Sequence, residues 1–329
     1  MTNAELDTTI RQMLNAAQRV LITTHIRPDG DAVGSLLGLG LALQEAGRNV
    51  QMVLPDGFPH VFRHLPGADQ IRHDVQPPFD LFIVLDTADV PRIASGLNGY
   101  QVDLCIDHHV TNPGFARVNL IDPEAVATSA ILAEHLPAWD LPITPEVASA
   151  LLTGIITDTI GFRTSNMTPK ALRLAADLME KGANLPELYK RALIHRSFEA
   201  ARFWGYGLVN LKRQGRLIWT TLTQADRAAA GYQGNDDADL TDILSGIEDG
   251  DIAVLFIQHA DGRIKVSWRA KPGWDVSALA ARFGGGGHPA AAGADFYGNL
   301  EDVQEKVLKA TQELWEQQVI KSNSITAKG

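Results

Sequence analysis

The sequence predicts an α/β protein, with a parallel-sheet first half flanked by helices and a smaller α/β second domain. Three observations carry this. Short apolar runs at residues 20–24, 81–85 and 104–106 lack polar alternation and are separated by helix-like segments, the pattern of a parallel sheet buried on both faces. Strand signals return only from Leu217, beyond a block of helices. At 329 residues, the chain exceeds the roughly 250–300 residues at which a single core stops growing.

In chain order, residues 6–17 read as a helix and 20–24 as a strand. A helix at 33–45 is closed by Gly47, where a left-handed backbone favours glycine. A strand at 49–54 ends in the turn Pro55-Asp56-Gly57. Strands at 81–85 and 104–106 precede helices at 129–135, 146–156, 169–180 and 186–193. Thr168-Pro169 starts the third of these, with Thr as N-cap and Pro at the first helical position. Residues 194–207 change character and read as a linker, so domains are expected at 1–193 and 208–329. Strands at 217–222, 252–258 and 264–268 follow, the last two joined by an Asp261-Gly262 hairpin turn. A helix at 276–283 leads into Gly284-Gly285-Gly286-Gly287-His288. An amphipathic helix at 300–319 comes last, with a polar, frayed tail from Lys321.

The formal net charge of −10 disfavours long, electrostatically driven binding to duplex nucleic acid. It admits a small anionic substrate if cations or a local basic patch supply positive charge. Cys105 is the one cysteine and lies in an apolar run; it reads as a buried small hydrophobe and excludes an intramolecular disulfide. The opening residues lack a signal-peptide-like apolar core. The longest apolar stretch, 32–43, is interrupted by glycines and falls short of the ~20 residues of a membrane span. A soluble cytoplasmic protein without a membrane partner is expected.

The chemistry lies where the apolar runs end. The first strand leads into His25-Ile26-Arg27-Pro28-Asp29-Gly30-Asp31, the next into Asp86, the next into Asp107-His108-His109, and a mostly apolar helix into Asp158. Ligands in open α/β sheets bind outside the carboxyl ends of the strands. Each signal alone has an ordinary reading: a solvated loop with an N-cap aspartate, a core histidine beside a surface one, a helix cap. Together they supply six candidate ligands, His25, Asp29, Asp31, Asp86, His108 and Asp158. Oxygen and imidazole donors without thiolate favour hard or borderline cations, Mn²⁺ ahead of Zn²⁺. Several carboxylates suit two ions, and paired ions clamp phosphoryl oxygens and activate water for phosphoester hydrolysis. A second cluster lies at residues 263–289, where five bases (Arg263, Lys265, Arg269, Lys271, Arg282) face one acid, Asp275, before the glycine run and His288. Glycines let backbone N–H groups approach an anion, although a flexible turn beside a solvated basic strand gives the same pattern.

These motifs resemble the DHH phosphoesterase superfamily, named for the tripeptide seen here as Asp107-His108-His109. His25-x-x-x-Asp29-x-Asp31, Leu85-Asp86-Thr87 and Thr157-Asp158-Thr159 are similar to its other metal motifs. Arg282-Phe283-Gly284-Gly285-Gly286-Gly287-His288-Pro289 is similar to the signature of the DHH-associated domain. The closest subgroup is the two-domain nanoRNase/pAp phosphatase type. The resemblance implies two divalent ions, Mn²⁺ by preference, with the active site in a cleft between the domains. His25, Asp29 and Asp86 would hold one ion, and Asp31, Asp86, His108 and Asp158 the other. Asp107 would orient an imidazole, and His109 would face the scissile phosphate as catalytic acid. Arg269, Gly285, Gly286, Gly287 and His288 would bind the substrate's far phosphate, with Arg92 and Arg163 as further contacts. The implied substrates are short RNA and pAp; a homodimer is compatible with the type. Rival readings are a linear or cyclic dinucleotide phosphodiesterase, a manganese pyrophosphatase, disfavoured by the glycine-histidine signature, and a non-catalytic RNA-binding module, disfavoured by the complete ligand set.

Overall fold

The computed structural model describes residues 3–97 and 99–326; the side chains of Asn3, His288 and residues 320–326 lie outside the described set. The chain divides into two compact units, Met1–His195 and Arg196–Gly329.

The first unit opens with helix α1 (Asn3–Ala16), strand β1 (Arg19–Thr23), helix α2 (Gly30–Glu45) and strand β2 (Asn49–Met52). Strands β3 (Leu81–Leu85), β4 (Leu104–Asp107) and β5 (Val118–Ile121) follow, then helices α3 (Thr128–His135), α4 (Pro145–Asp158), α5 (Pro169–Glu180) and α6 (Leu185–Tyr189). The five strands form one parallel sheet in the order β2-β1-β3-β4-β5. Chain direction across the sheet therefore reverses between β1 and β3, the crevice where open α/β sheets place their ligands. The edge strand β5 was not anticipated; its Val118-Asn119-Leu120-Ile121 is too short and mixed in polarity to stand out.

Helices cover one face only. Ile10, Leu14, Leu36, Leu39, Ile131, Leu151 and Ile155 pack there against Ile22, Ile83, Leu85 and Ile106. The opposite face, bearing Leu21, Phe82 and Val84, is covered by irregular chain through Ile93, Ala94, Leu97 and Val102. Apolar strands report burial on both faces but not what buries them. The covering segment is also stitched to the loop after β1, since Ile26 N–H donates to the Arg92 carbonyl (2.8 Å) and Ala94 N–H to that of Thr24 (3.2 Å).

Helices α2 and α4 meet through small residues. A Cβ on Gly34 would lie 2.6 Å from the Ala150 carbonyl oxygen, and one on Gly30 would lie 2.3 Å from Thr157 Oγ1. This approach brings the Asp31 end of α2 beside the Asp158 end of α4.

The second unit starts where a linker was expected. Residues 198–209 are helix α7 (Phe198–Val209), capped by Ser197, whose hydroxyl accepts from Ala200 N–H (3.1 Å). Ala200 and Phe203 bury one side of it, and Gly207, which reads as linker chemistry, admits Leu240, whose Cδ2 would lie 2.5 Å from a Cβ there. Then come β6 (Lys212–Gln214), β7 (Leu217–Leu222), α8 (Gln224–Ala230), α9 (Leu240–Ser245), β8 (Ile252–Gln258) and β9 (Arg263–Ala270). Helix α10 (Ser277–Arg282), β10 (Gly286–His288), β11 (Ala291–Tyr297) and α11 (Leu300–Thr326) complete the unit. The mixed sheet has the order β10-β11-β9-β8-β7-β6 and only β7 and β8 run parallel. Val303 and Val307 of α11 pack with Leu279 of α10 on one face, while Phe203 and Leu244 pack on the other. The Asp261-Gly262 turn joins β8 to β9 as expected, with Gly262 at φ +82°. Helix α11 continues through the expected frayed tail to Thr326, because no glycine or proline interrupts it there and extending a formed helix costs little. Among the described residues, no helix is long and apolar enough to cross a membrane.

Gly34→Ala tests the α2–α4 contact. Alanine gains about 1 kcal/mol of helix propensity. Its methyl group, however, meets backbone that cannot swing aside, and overpacking costs about 1–3 kcal/mol or more. The urea midpoint followed by circular dichroism should fall; an unchanged or higher midpoint would mean the helices separate freely.

Candidate metal centre

The expected ligands of the first unit converge at the carboxyl ends of β1, β3 and β4. Asp29 is the N-cap of α2: its Oδ1 accepts from Asp31 N–H (3.1 Å) and Ala32 N–H (3.0 Å). Its Oδ2 lies 3.9 Å from His25 Nε2, so one carboxylate both caps a helix and faces the centre. His25 is tied through Nδ1 to the Ile26 carbonyl (2.8 Å). That contact makes Nδ1 the donor and leaves the Nε2 lone pair for the centre.

Asp86 follows β3 with its backbone at φ +52°, a left-handed conformation that costs a non-glycine residue about 1–3 kcal/mol and clusters at functional sites. Its buried carboxylate has Oδ2 at 3.7 Å from His25 Nε2 and Oδ1 at 3.6 Å from His108 Nε2. Thr128 Oγ1 donates to the same Oδ1 (3.0 Å). His108 Nε2 also lies 3.7 Å from Asp158 Oδ2 and 4.0 Å from Asp31 Oδ2. These separations exceed hydrogen-bond length and suit donors about 2.0–2.2 Å from a shared cation. Ligand atoms of His25, Asp29 and Asp86 gather within 4.8 Å of one another, and so do those of Asp31, His108 and Asp158.

Asp31 is fixed by the start of α3. Thr128 N–H donates to Oδ2 (2.6 Å) and Ser129 N–H to Oδ1 (2.9 Å), where the helix offers unpaired amides and the positive end of its dipole. Gly154 permits the approach, since a Cβ there would lie 2.0 Å from Ser129 Oγ and 2.7 Å from Asp31 Oδ1.

Asp107 is fully buried at the end of β4. Its Oδ1 accepts from His109 Nδ1 (2.7 Å) and His108 N–H (2.9 Å). His109 Nδ1 is thereby committed to Asp107 and not to a cation, although it lies 3.8 Å from Asp86 Oδ1.

The electrostatics mark a site short of positive charge. Burial, then the Asp86 charge, push the Asp31 carboxyl up to about 7. Burial, then Asp31, push Asp158 up to about 8. Burial alone would lower His108, but Asp31, Asp86 and Asp158 outweigh it and raise the imidazole to about 9. Burial would raise Asp86, yet His25, His108 and His109 together hold it below the usual carboxylate range. Protons here do a cation's work. The only thiol, Cys105, is buried away from this role and pushed up to about 12 by burial. The donor set is oxygen and imidazole and fits a divalent ion of the hard or borderline kind.

The arginine and glycine candidates are not among the grouped ligand residues. Arg92 is exposed at the end of the turn Val90–Arg92, and Arg163 is exposed with Nε donating to the Ile160 carbonyl (2.9 Å). In the second unit, Arg269 lies on β9 opposite Ala291 and Ala253. The glycine run is not an open loop, because Gly286–His288 pairs with β11 as an edge strand. Gly285 and Gly287 serve close packing, since a Cβ on Gly285 would lie 2.1 Å from the Gly293 carbonyl oxygen and one on Gly287, at φ +142°, 2.4 Å from that of Ala291, whereas Gly284 and Gly286 face open space. The His288 side chain lies outside the described set. Thr128 and Ser129 escaped the sequence reading; their signal was a Thr-Ser pair at a helix start, which reads as a cap for its own helix rather than an anchor for Asp31.

A parallel sheet gathering carboxylates and imidazoles at its switch point defines the class, a divalent-metal phosphoesterase. Residues 19–155 match the DHH family, N-terminal domain, and residues 227–317 the DHHA1 domain. The chain belongs to the DHH family of phosphoesterases, hydrolases of phosphoester bonds. It is 34% identical over 310 residues to the bifunctional oligoribonuclease and PAP phosphatase NrnA of Thermus thermophilus, across 92% of this chain and 93% of that protein. It is 27% identical over 302 residues to the Bacillus subtilis protein of the same name, across 89% and 94%. Among solved structures it is similar to an exopolyphosphatase-related protein from Bacteroides fragilis, with a TM-score of 0.86 and 25% identity over 96% and 98% of the two chains.

Cation loading should release protons. Carboxyls raised to about 7 and about 8, and an imidazole raised to about 9, carry protons below those values and must lose them to ligate. Affinity therefore falls as the pH drops through this window and rises toward its upper end. Calorimetry in buffers of different ionisation enthalpy counts the protons; none released at pH 7 would contradict this charge balance.

Proposed function

We propose that the chain is a manganese-dependent, two-metal phosphoesterase that degrades very short oligoribonucleotides and dephosphorylates pAp to mononucleotides. The observation that carries this is the position of Asp86, whose two carboxylate oxygens face different donor groups. His25, Asp29 and Asp86 would hold one ion, and Asp31, Asp86, His108 and Asp158 would hold the other. The ions, when bound, neutralise phosphoryl oxygens and acidify water. The names borne by the Thermus and Bacillus relatives support the substrate class.

The chain's own groups do the rest. The start of α3 holds Asp31 in place, and Asp86 is aimed by its left-handed backbone. Asp107 accepts a hydrogen bond from His109 Nδ1–H, so that in the proposed step the protonated imidazolium gives its Nε2 proton to the leaving oxygen and keeps the one on Nδ1. Arg269, Gly285, Gly286, Gly287 and His288 of the second unit are the proposed contacts for a substrate phosphate, and Arg92 and Arg163 of the first unit are proposed further substrate contacts.

Asp86→Asn should lower turnover more than about 100-fold, beyond the loss typical of outer-shell ligand partners, with an unchanged circular dichroism spectrum; near-normal turnover would sink the two-metal reading. A panel of pAp, a diribonucleotide, a longer RNA, cyclic di-AMP and pyrophosphate decides the substrate. Highest kcat/KM on pAp and the diribonucleotide is expected, and preference for cyclic di-AMP or pyrophosphate would replace this reading. His288→Ala should raise KM, whereas a loss confined to kcat would move His288 into the chemical step.

A further inference from the structure

The Asp107 carboxylate has a third partner. Asn112 Nδ2 donates to its Oδ2 at 2.7 Å. The same amide nitrogen donates to the Thr87 carbonyl at 3.0 Å, one residue beyond Asp86. Gly114 N–H donates to Asn112 Oδ1 at 2.8 Å, which settles which end of the amide is nitrogen. The backbone is tied as well, with Asn112 N–H donating to the His109 carbonyl at 3.1 Å. One side chain thus links the end of β3 to the end of β4 and completes the hydrogen bonding of a fully buried carboxylate.

The geometry points to Asn112 as the positioning residue for His109. Asp107 Oδ1 can hold the His109 Nδ1–H only if the carboxylate plane is fixed, and the other oxygen is fixed by Asn112. Without that bond Oδ2 loses the partner that fixes the carboxylate plane, so the carboxylate can turn, the Oδ1 contact to His109 weakens, and the imidazole loses its enforced tautomer. A histidine whose second nitrogen must exchange a proton with substrate depends on that tautomer. Among the described contacts the Asn112 side chain meets none of the expected ligand side chains; it acts through Asp107. The inference rests on the reading of His109 as the group facing the leaving oxygen.

Asn112→Ala and the isosteric Asn112→Asp, which turns the donor into an acceptor facing Asp107, test it in the full chain. Both should lower kcat about 10- to 100-fold, the range for residues that orient a site from behind, with little change in KM and the same number of ions bound. Two-dimensional ¹H–¹⁵N spectra of the magnesium-loaded protein should show His109 as the Nδ1–H tautomer in the parent and as a mixture in both variants. An unchanged kcat, a loss confined to KM or to ion stoichiometry, or an unaltered tautomer overturns the assignment. Should the parent hydrolyse nothing in the substrate panel, the proposed function fails while the tautomer comparison still decides the role of Asn112.

Discussion

The first unit depends on one buried charge. Asp86 is nearly inaccessible to solvent at the carboxyl edge of the parallel sheet, and an isolated carboxylate there would be prohibitively costly. Its surroundings answer that demand. Imidazoles of His25 and His108 stand on opposite sides, Thr128 supplies a hydroxyl, and a strained backbone sets its direction. Elements distant in sequence are consequently bound to one point: the loop after β1, the ends of β3 and β4, the start of α3 and the end of α4. The reversal of strand order between β1 and β3 creates the gap in which this convergence is possible.

The candidate cluster was legible in the sequence because polar residues interrupting apolar strands are conspicuous. Asp86 follows Ile83-Val84-Leu85, and Asp107 follows Leu104-Cys105-Ile106; neither suits a sheet edge without a partner. What the sequence did not reveal is the layer behind the ligands. Ser129 lies 98 positions from the Asp31 it holds, and no local pattern couples them. Asn112 precedes a proline and a glycine and reads as ordinary turn chemistry. Residues that position others carry no chemical signature of their own; only folding shows what they touch.

The second unit was less legible for a different reason. Strand β11 opens with Ala291-Ala292-Gly293-Ala294, residues of weak strand preference. Their small size is what lets β10 and β9 approach on either side, as the contact between Gly285 and the Gly293 carbonyl shows. The stretch expected to hold the linker is helical over Phe198–Val209, where Ala200 and Phe203 supply a buried side and Gly207 admits Leu240. Small residues mark either looseness or close packing, and sequence alone does not separate the two.

The uneven cover of the parallel sheet bears on how such a protein can change over generations. Irregular surface segments ordinarily absorb insertions and deletions with little penalty. Residues 90–94 cannot, because their backbone is stitched to Thr24 and Ile26 on either side of His25. A one-residue change of length there would shift the register of those bonds and displace the His25 imidazole between them. The segment that looks most dispensable in this unit is held to a fixed length by the centre it backs.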